Sequence, residues 1–292
     1  MILGYVVPAS LSETLRLLAE RGSDCSILAG GMSLVPALKQ GCVARKFIVN
    51  IKSIADSPAR ELRVASDRLA IGALVRHREI EKSQLVARYF PALRSLEETL
   101  ASVQIRNHGT LTGNLCAAEP WSDPPCLLAA LGAQLMAVAE RGQRQVSAAD
   151  WISSDGTTQR RPDELLLRAD LPLPRGRDGL GYARVAQRQG LARPLACAAA
   201  RIKISENGAI TAARLFVGAI GLRPQRMVEA EAILTGNRLG AELSAEIEYS
   251  VARAIDAVPD QRCSASYKVK VAGVLMRRAI TDAVENANTT EH

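Results

Sequence analysis

At 292 residues the chain is long enough for one large or two medium domains, each with its own core, and 48% apolar with 23% charged residues is a globular composition. No apolar run reaches the roughly 18–20 residues that span a bilayer, and the N-terminal MILGYVVPASLSETL carries no basic leader, so the expected location is the cytoplasm. The net charge of +7 sits in short pieces (ERGQRQ, TQRRPDE, PRGRDG) without interleaved aromatics, which argues against nucleic acid as a partner and for a solvated surface or an acidic protein partner.

Residues 10–21, SLSETLRLLAER, read as a helix: Leu11, Leu15 and Leu18 share a face, Ser10 and Glu13 form a capping box, and Gly22 supplies the stop. A short strand then leads into ILAGGMSLVPALKQ (27–40). KFIVNIKSI (46–54) reads as a strand, and ELRVASDRLAIGAL (61–74) as two strands around Ser66-Asp67. Residues 78–102 are largely helical, interrupted before Pro91. After a loop at 104–125, Pro124 and Pro125 open a helix that runs into a strand by 140. DELLLRADLPLP (163–174) is a strand closed by prolines, and the Pro/Gly/Arg-rich piece 172–181 is the expected domain boundary. Residues 197–220 form a hairpin turning at Asn207-Gly208, with helices at about 226–235, 241–257 and 267–287. The order implies an α+β protein of two domains, 1–175 (subdomains about 1–55 and 56–175) and 176–292.

The six cysteines (25, 42, 116, 126, 197, 263) have neither zinc-ribbon nor ferredoxin spacing and read as small buried hydrophobes; His77, His108 and His292 form no metal-ligand pair, so no metal is expected. Two glycine-containing loops remain. In the first, Gly30 and Gly31 follow a strand, so bare backbone N–H groups there can approach an anion. In the second, QIRNHGTLTGNLCAAEPWSDPP, the small residues and the Thr and Asn side chains offer uncharged donors to a phosphate. Either loop alone is equally well an ordinary turn.

Together, AGG-x-S-L after the first helix and IRN-x-GT-x-x-GN about eighty residues later, followed by P-x-SD, resemble the FAD-binding subunit of the molybdenum hydroxylases. That family includes the medium chain of carbon monoxide dehydrogenase and the flavin domain of xanthine dehydrogenase, and the likeness spans essentially the whole chain. The resemblance implies a vanillyl-alcohol-oxidase/PCMH-type FAD-binding fold of two α/β subdomains, followed by a C-terminal α+β domain. It implies that Ala29, Gly30, Gly31, Met32, Ser33 and Leu34 form one grip on FAD, and Thr110, Leu111, Thr112, Gly113 and Asn114 the other. Ser33 and Thr110 are either hydroxyl donors to the cofactor or caps of local turns. Asp123 is either a hydrogen-bond partner on the ribose or adenine side or a helix N-cap. Leu166 or Leu167 packs on the flavin region, and Arg184 is either a positive charge near the isoalloxazine or a surface arginine.

The chain departs from the family pattern in two places. Thr112 stands where Thr-Ile-Gly-Gly-Asn has its first glycine; a β-branched residue disfavours positive φ, so either the backbone does not need it there or the grip is altered. GLARPLAC (190–197) has Ala192, Arg193 and Pro194 where relatives carry an aromatic beside the isoalloxazine. The implied function is electron transfer from the [2Fe-2S] clusters of a small partner subunit, fed by a large molybdopterin subunit, to an external acceptor. The expected assembly is a dimer of heterotrimers, and no general acid, base or nucleophile is expected here. A stand-alone FAD-dependent oxidoreductase acting directly on a small molecule is the alternative.

Overall fold

The computed structural model describes residues 2–43, 45–55, 57–188 and 192–289, so Gly190, Leu191 and His292 lie outside the described residues. In chain order the elements are β1 (Gly4–Val6), α1 (Leu11–Arg21), β2 (Cys25–Leu28), α2 (Leu34–Lys39), β3 (Phe47–Asn50), α3 (Ser57–Arg60), β4 (Leu62–Ala65) and β5 (Arg68–Gly72). Then come α4 (His77–Lys82), α5 (Gln84–Tyr89), α6 (Pro91–Thr99), α7 (Val103–Arg106), α8 (Leu111–Ala117), α9 (Pro124–Leu131), β6 (Gln134–Ala139), β7 (Gly142–Ser147) and β8 (Leu165–Pro172). The last stretch holds β9 (Asp178–Ala186), β10 (Pro194–Ile204), β11 (Ile210–Gly218), β12 (Gln225–Arg226), α10 (Val228–Leu234), α11 (Ala241–Ala254) and α12 (Ala265–Thr289).

Among the described residues the strands form three sheets, ordered β1-β3-β2, β4-β5-β8-β6-β7 and β12-β11-β10-β9. The first is parallel; α1 crosses over between its strands, its N-terminus capped by the Ser10 hydroxyl, which accepts from Glu13 N at 3.1 Å. Gly22 ends α1 in right-handed rather than left-handed geometry, and its lack of a side chain serves a different purpose. A Cβ there would stand 2.4 Å from the Pro162 carbonyl oxygen. Residues 46–54 divide: the strand ends at Asn50 and Ile51–Ser53 coil into a 3-10 turn.

The second sheet is antiparallel, and its inner strands β5, β8 and β6 are buried on both faces. Strand β8 explains how: Leu165 and Leu167 pack with Leu18, Val49 and Ile51 on one side, while Leu166, Ala169 and Leu171 pack with the α4–α9 layer on the other. The register between β6 and β8 shifts at Leu167, a β-bulge that switches which parity of residues faces which core.

Strand β10, PLACAAARIKI, is likewise sandwiched. Ala196, Ala198, Ala200 and Ile202 face α10–α12, whereas Cys197 and Ala199 face α9. A strand covered on both sides reads as a continuous apolar run, and its alanines let helices approach closely. Helix α12 also presses on the neighbouring strand β9: a Cβ on Gly181 would lie 1.9 Å from the Ala279 carbonyl oxygen, and one on Gly179 equally close to that of Ala283. Helix α9, buried throughout, docks on the third sheet. Arg201 donates to Leu131 O at 2.6 Å and Arg214 to Ala129 O at 2.9 Å, so the sheet's cations sit on carbonyls at the negative end of the helix. Of the cysteines, Cys25, Cys126 and Cys197 are buried as expected, but Cys42 is exposed.

Gly181→Ala pushes a methyl group into helix backbone that cannot yield as a side chain does. It is expected to lower unfolding free energy by about 1–3 kcal/mol in urea titrations, with near-native secondary structure by circular dichroism.

Candidate functional site

The first loop and the 3-10 turn of Lys52 both follow the carboxyl ends of neighbouring parallel strands, β2 and β3, paired to Leu28↔Asn50. Ligands collect at such ends because the chains there diverge and expose backbone donors. The second loop is brought to the same place by β5. Beyond Gly72 the chain is held by Ala73 N donating to Leu167 O and Leu74 N to Ala59 O, at 2.8 and 2.7 Å. Arg76 then bridges to Thr110, and His77 N donates to Gly109 O at 2.9 Å.

The two loops touch through glycine. A Cβ on Gly30 would sit 2.4 Å from His108 O and 2.7 Å from the Gly109 Cα, so backbone meets backbone with no room for a side chain. Gly31 adopts φ +82°, the left-handed region glycine enters without strain. Gly109 is supported from below by His77, whose Nδ1 lies 2.9 Å from a Glu97 carboxylate oxygen; both side chains are buried. Beside this contact lies a cavity of about 130 Å³. Ala29, Leu74, His108 and Thr110 form part of its wall, and Lys52, Arg60 and Arg76 bring positive charge to it. Arg60 donates to the Ile54 carbonyl at 2.7 Å and to that of Lys52, so its hydrogen bonds among the described residues leave its charge unneutralised. Sequence reasoning missed these three cations because they come from three separate segments; only the carboxyl-end position of Lys52, just after a strand, signalled it.

The second grip is a helix and not a loop, a correction to the expectation for 104–125. Residues Val103–Arg106 and Leu111–Ala117 are helical, and Thr110 is the N-cap of α8, its hydroxyl accepting from Gly113 N at 3.1 Å. Thr110 therefore serves as a cap. Thr112 lies inside the first turn, where β-branching raises no question of positive φ, and its hydroxyl donates to Ala73 O at 3.0 Å. That bond anchors α8 to the end of β5. The N–H groups of Leu111 and Thr112 point out of the helix start without intrahelical acceptors, next to the cavity wall at Thr110. Leu111 itself is core. Asn114, one turn on, accepts from the Ser122 hydroxyl at 2.6 Å. Ser33 and Met32 are exposed, Ser33 makes no capping hydrogen bond, and Leu34 begins α2. Leu166 and Leu167 are enclosed in opposite cores, clear of the cavity.

Asp123 does not use its carboxylate as an N-cap, although it precedes Pro124. Its side chain is 1% exposed; it accepts from the Tyr182 hydroxyl at 2.6 Å and lies 3.3 Å from the Arg184 guanidinium. Burial pushes its carboxyl above the ordinary range, against the opposing pull of Arg184 and the Tyr182 bond. Tyr182, half-buried with its hydroxyl on this carboxylate, is pushed well above the usual phenol value by desolvation first and then by Asp123. Arg184 is not a free surface arginine: it also donates to Thr99 O and Oγ1, both at 3.2 Å, and to Ala192 O.

Known proteins share this architecture. Residues 1–174 match the FAD binding domain in molybdopterin dehydrogenase, and residues 182–283 the CO dehydrogenase flavoprotein C-terminal domain. Fold and match together define an FAD-binding flavoprotein. Caffeine dehydrogenase subunit beta of Pseudomonas sp. (strain CBB1) is 32% identical over 96% of this chain and 94% of that subunit. The carbon monoxide dehydrogenase medium chain of Afipia carboxidovorans is 30% identical over 97% of each. A chain of reconstituted CO dehydrogenase from Oligotropha carboxidovorans superposes with a TM-score of 0.91 at 28% identity, covering 98% of this chain and 99% of that one. The chain belongs to the family of FAD-binding medium subunits of molybdopterin dehydrogenases, an oxidoreductase class. Its residues fit the cofactor: the glycine contact admits backbone where a Cβ would intrude, and the donors beside it are N–H groups and cations.

The raised Asp123 carboxyl gives a signed expectation. A carboxyl harder to ionise in the folded chain costs stability as pH rises from about 4, the unfolded value, through its folded value. Asp123→Asn removes that cost, so the variant's stability relative to wild type should improve steadily over this range in denaturant titrations. A flat difference contradicts the assignment.

Proposed function

We propose that the chain is the electron-transfer subunit of a complex containing a large molybdopterin subunit and a small [2Fe-2S] subunit. It takes electrons from the [2Fe-2S] clusters and passes them to an external acceptor. Relatives with nearly identical extents carry the names medium chain and subunit beta, which supports a multi-subunit setting, with a dimer of heterotrimers as its assembly. No helix of the described residues is long and apolar enough to cross a membrane; the complex of this proposal is cytoplasmic. On this reading residues 1–175 hold the cofactor and residues 176–292 cover it.

The observation that carries the proposal is the Gly30 contact with His108 and Gly109, which closes two backbone loops beside a cationic cavity. The Ala29–Ser33 backbone and the first N–H groups of α8 bind the diphosphate, with Lys52, Arg60 and Arg76 offsetting its charge. Ser33 and Asn114 offer polar side chains along the cofactor, Asp123 and Arg184 hold the neighbouring walls in place, and Leu166 and Leu167 shape the sheet beneath. When bound, FAD supplies the redox chemistry, accepting electrons singly and releasing them in pairs. The protein binds, orients and shields it.

The 292-residue chain expressed with FAD should purify with visible flavin absorption at one cofactor per chain, and a folded chain that takes up none contradicts the proposal. Gly30→Ala should lose FAD by at least tenfold in affinity, measured by ultrafiltration, because the methyl group separates the loops. Arg76→Ala should weaken FAD several-fold at low salt, with the deficit shrinking as ionic strength rises, since a half-exposed cation acts through screened attraction.

A further inference from the structure

The segment from Ala192 to Pro194 is held against an aromatic ring from elsewhere in the chain. Arg184 binds the Ala192 carbonyl, and Arg262 donates to the Pro194 carbonyl at 3.0 Å. Arg262 is in turn fixed by Asp260, 2.6 Å away, and Asp260 by the buried Lys268 at 3.1 Å. Arg193, pinned between those two anchors, lays its guanidinium over the indole of Trp121 at 4.4 Å from the ring centroid, with Arg262 farther out at 5.9 Å. A guanidinium over an indole face is an attractive arrangement. The indole N–H donates to Glu119 at 2.6 Å, which fixes the ring's edge as well. Trp121 is half-buried, unlike Trp151, which is wholly enclosed and donates to Leu115 O.

This clamped ring stands close to the cradle. Thr110 lines the cavity, and Asn114 lies four residues along α8, about 6 Å up the helix axis. The Asn114 side chain is bonded to Ser122, the neighbour of Trp121. A cofactor whose diphosphate lies at the start of α8 carries its flat ring beyond a sugar-alcohol spacer, into this neighbourhood. The geometry points to Trp121 as a positioning residue for the flavin: the indole, fixed by Arg193, Arg262 and Glu119, packs its half-exposed ring on the isoalloxazine. The inference rests on the FAD reading above.

The test uses the full chain reconstituted with FAD and reads flavin fluorescence per bound cofactor, since an indole in contact quenches flavin emission. Wild type should bind one FAD with emission strongly quenched. Trp121→Leu should raise emission several-fold at unchanged stoichiometry, and Trp121→Phe, which keeps a ring, should raise it less and change the visible circular dichroism of the flavin. Bright emission in wild type, or FAD bound by wild type and by both variants with the same emission and dichroism, overturns the role of Trp121 and leaves the FAD reading intact. A folded wild-type chain that binds no FAD overturns both. If Trp121→Leu does not fold, the Phe variant decides alone.

Discussion

Everything functional in this chain depends on one close approach, that of Gly30 to the backbone of His108 and Gly109. Two segments far apart in sequence can meet there only because neither has a side chain in the way. The meeting point is then buttressed from both sides. His77 and Glu97 form a buried pair beneath Gly109, and Thr112 bonds α8 to the end of β5. Glu81 and Arg106, 2.8 Å apart and nearly dry, tie α4 to α7 just ahead of the loop. Removing one partner of such a pair leaves a buried charge without compensation. The surrounding pairs therefore hold the geometry, and the cavity itself is left to backbone donors and half-exposed cations.

The C-terminal domain is more than a cover. Its sheet sends Tyr182 and Arg184 from β9 to Asp123 at the head of α9, and Arg201 and Arg214 to the carbonyls at the other end of the same helix. Helix α9 is thus clamped at both ends by one sheet. The Arg184 bonds continue to Thr99 and Ala192, so a single guanidinium links the α6 end, the α9 start and the edge of β10. Through that connection the position of the 192–194 segment is coupled to the wall of the site.

Much of this was legible beforehand. Ser10 capping α1, the breaks at Ser66, Pro91 and Asn207-Gly208, and the proline start of α9 are local signals, and local hydrogen bonding or fixed φ enforces them. The glycine loops were legible as a pair because their composition is unusual in two places at once. The helical start of the second loop was not: α8 is short and Gly-containing, with weak intrinsic propensity, and it forms because Thr110 caps it and tertiary packing buries Leu111 and Leu115. For Thr112 the helix decides between the two alternatives: the backbone there needs no positive φ, because residue 112 lies in the first turn of α8.

By itself, then, the sequence determined most of the strands and longer helices, the glycine pair, the family and hence the cofactor, because these are written in local pattern and order. Tertiary structure decided what each polar side chain faces. It gathered Lys52, Arg60 and Arg76 around one cavity, paired the buried Asp123 carboxylate with Tyr182 and Arg184 instead of with a helix start, and set Trp121 under Arg193. Those outcomes depend on contacts between residues tens of positions apart, and no period or spacing in the chain records them.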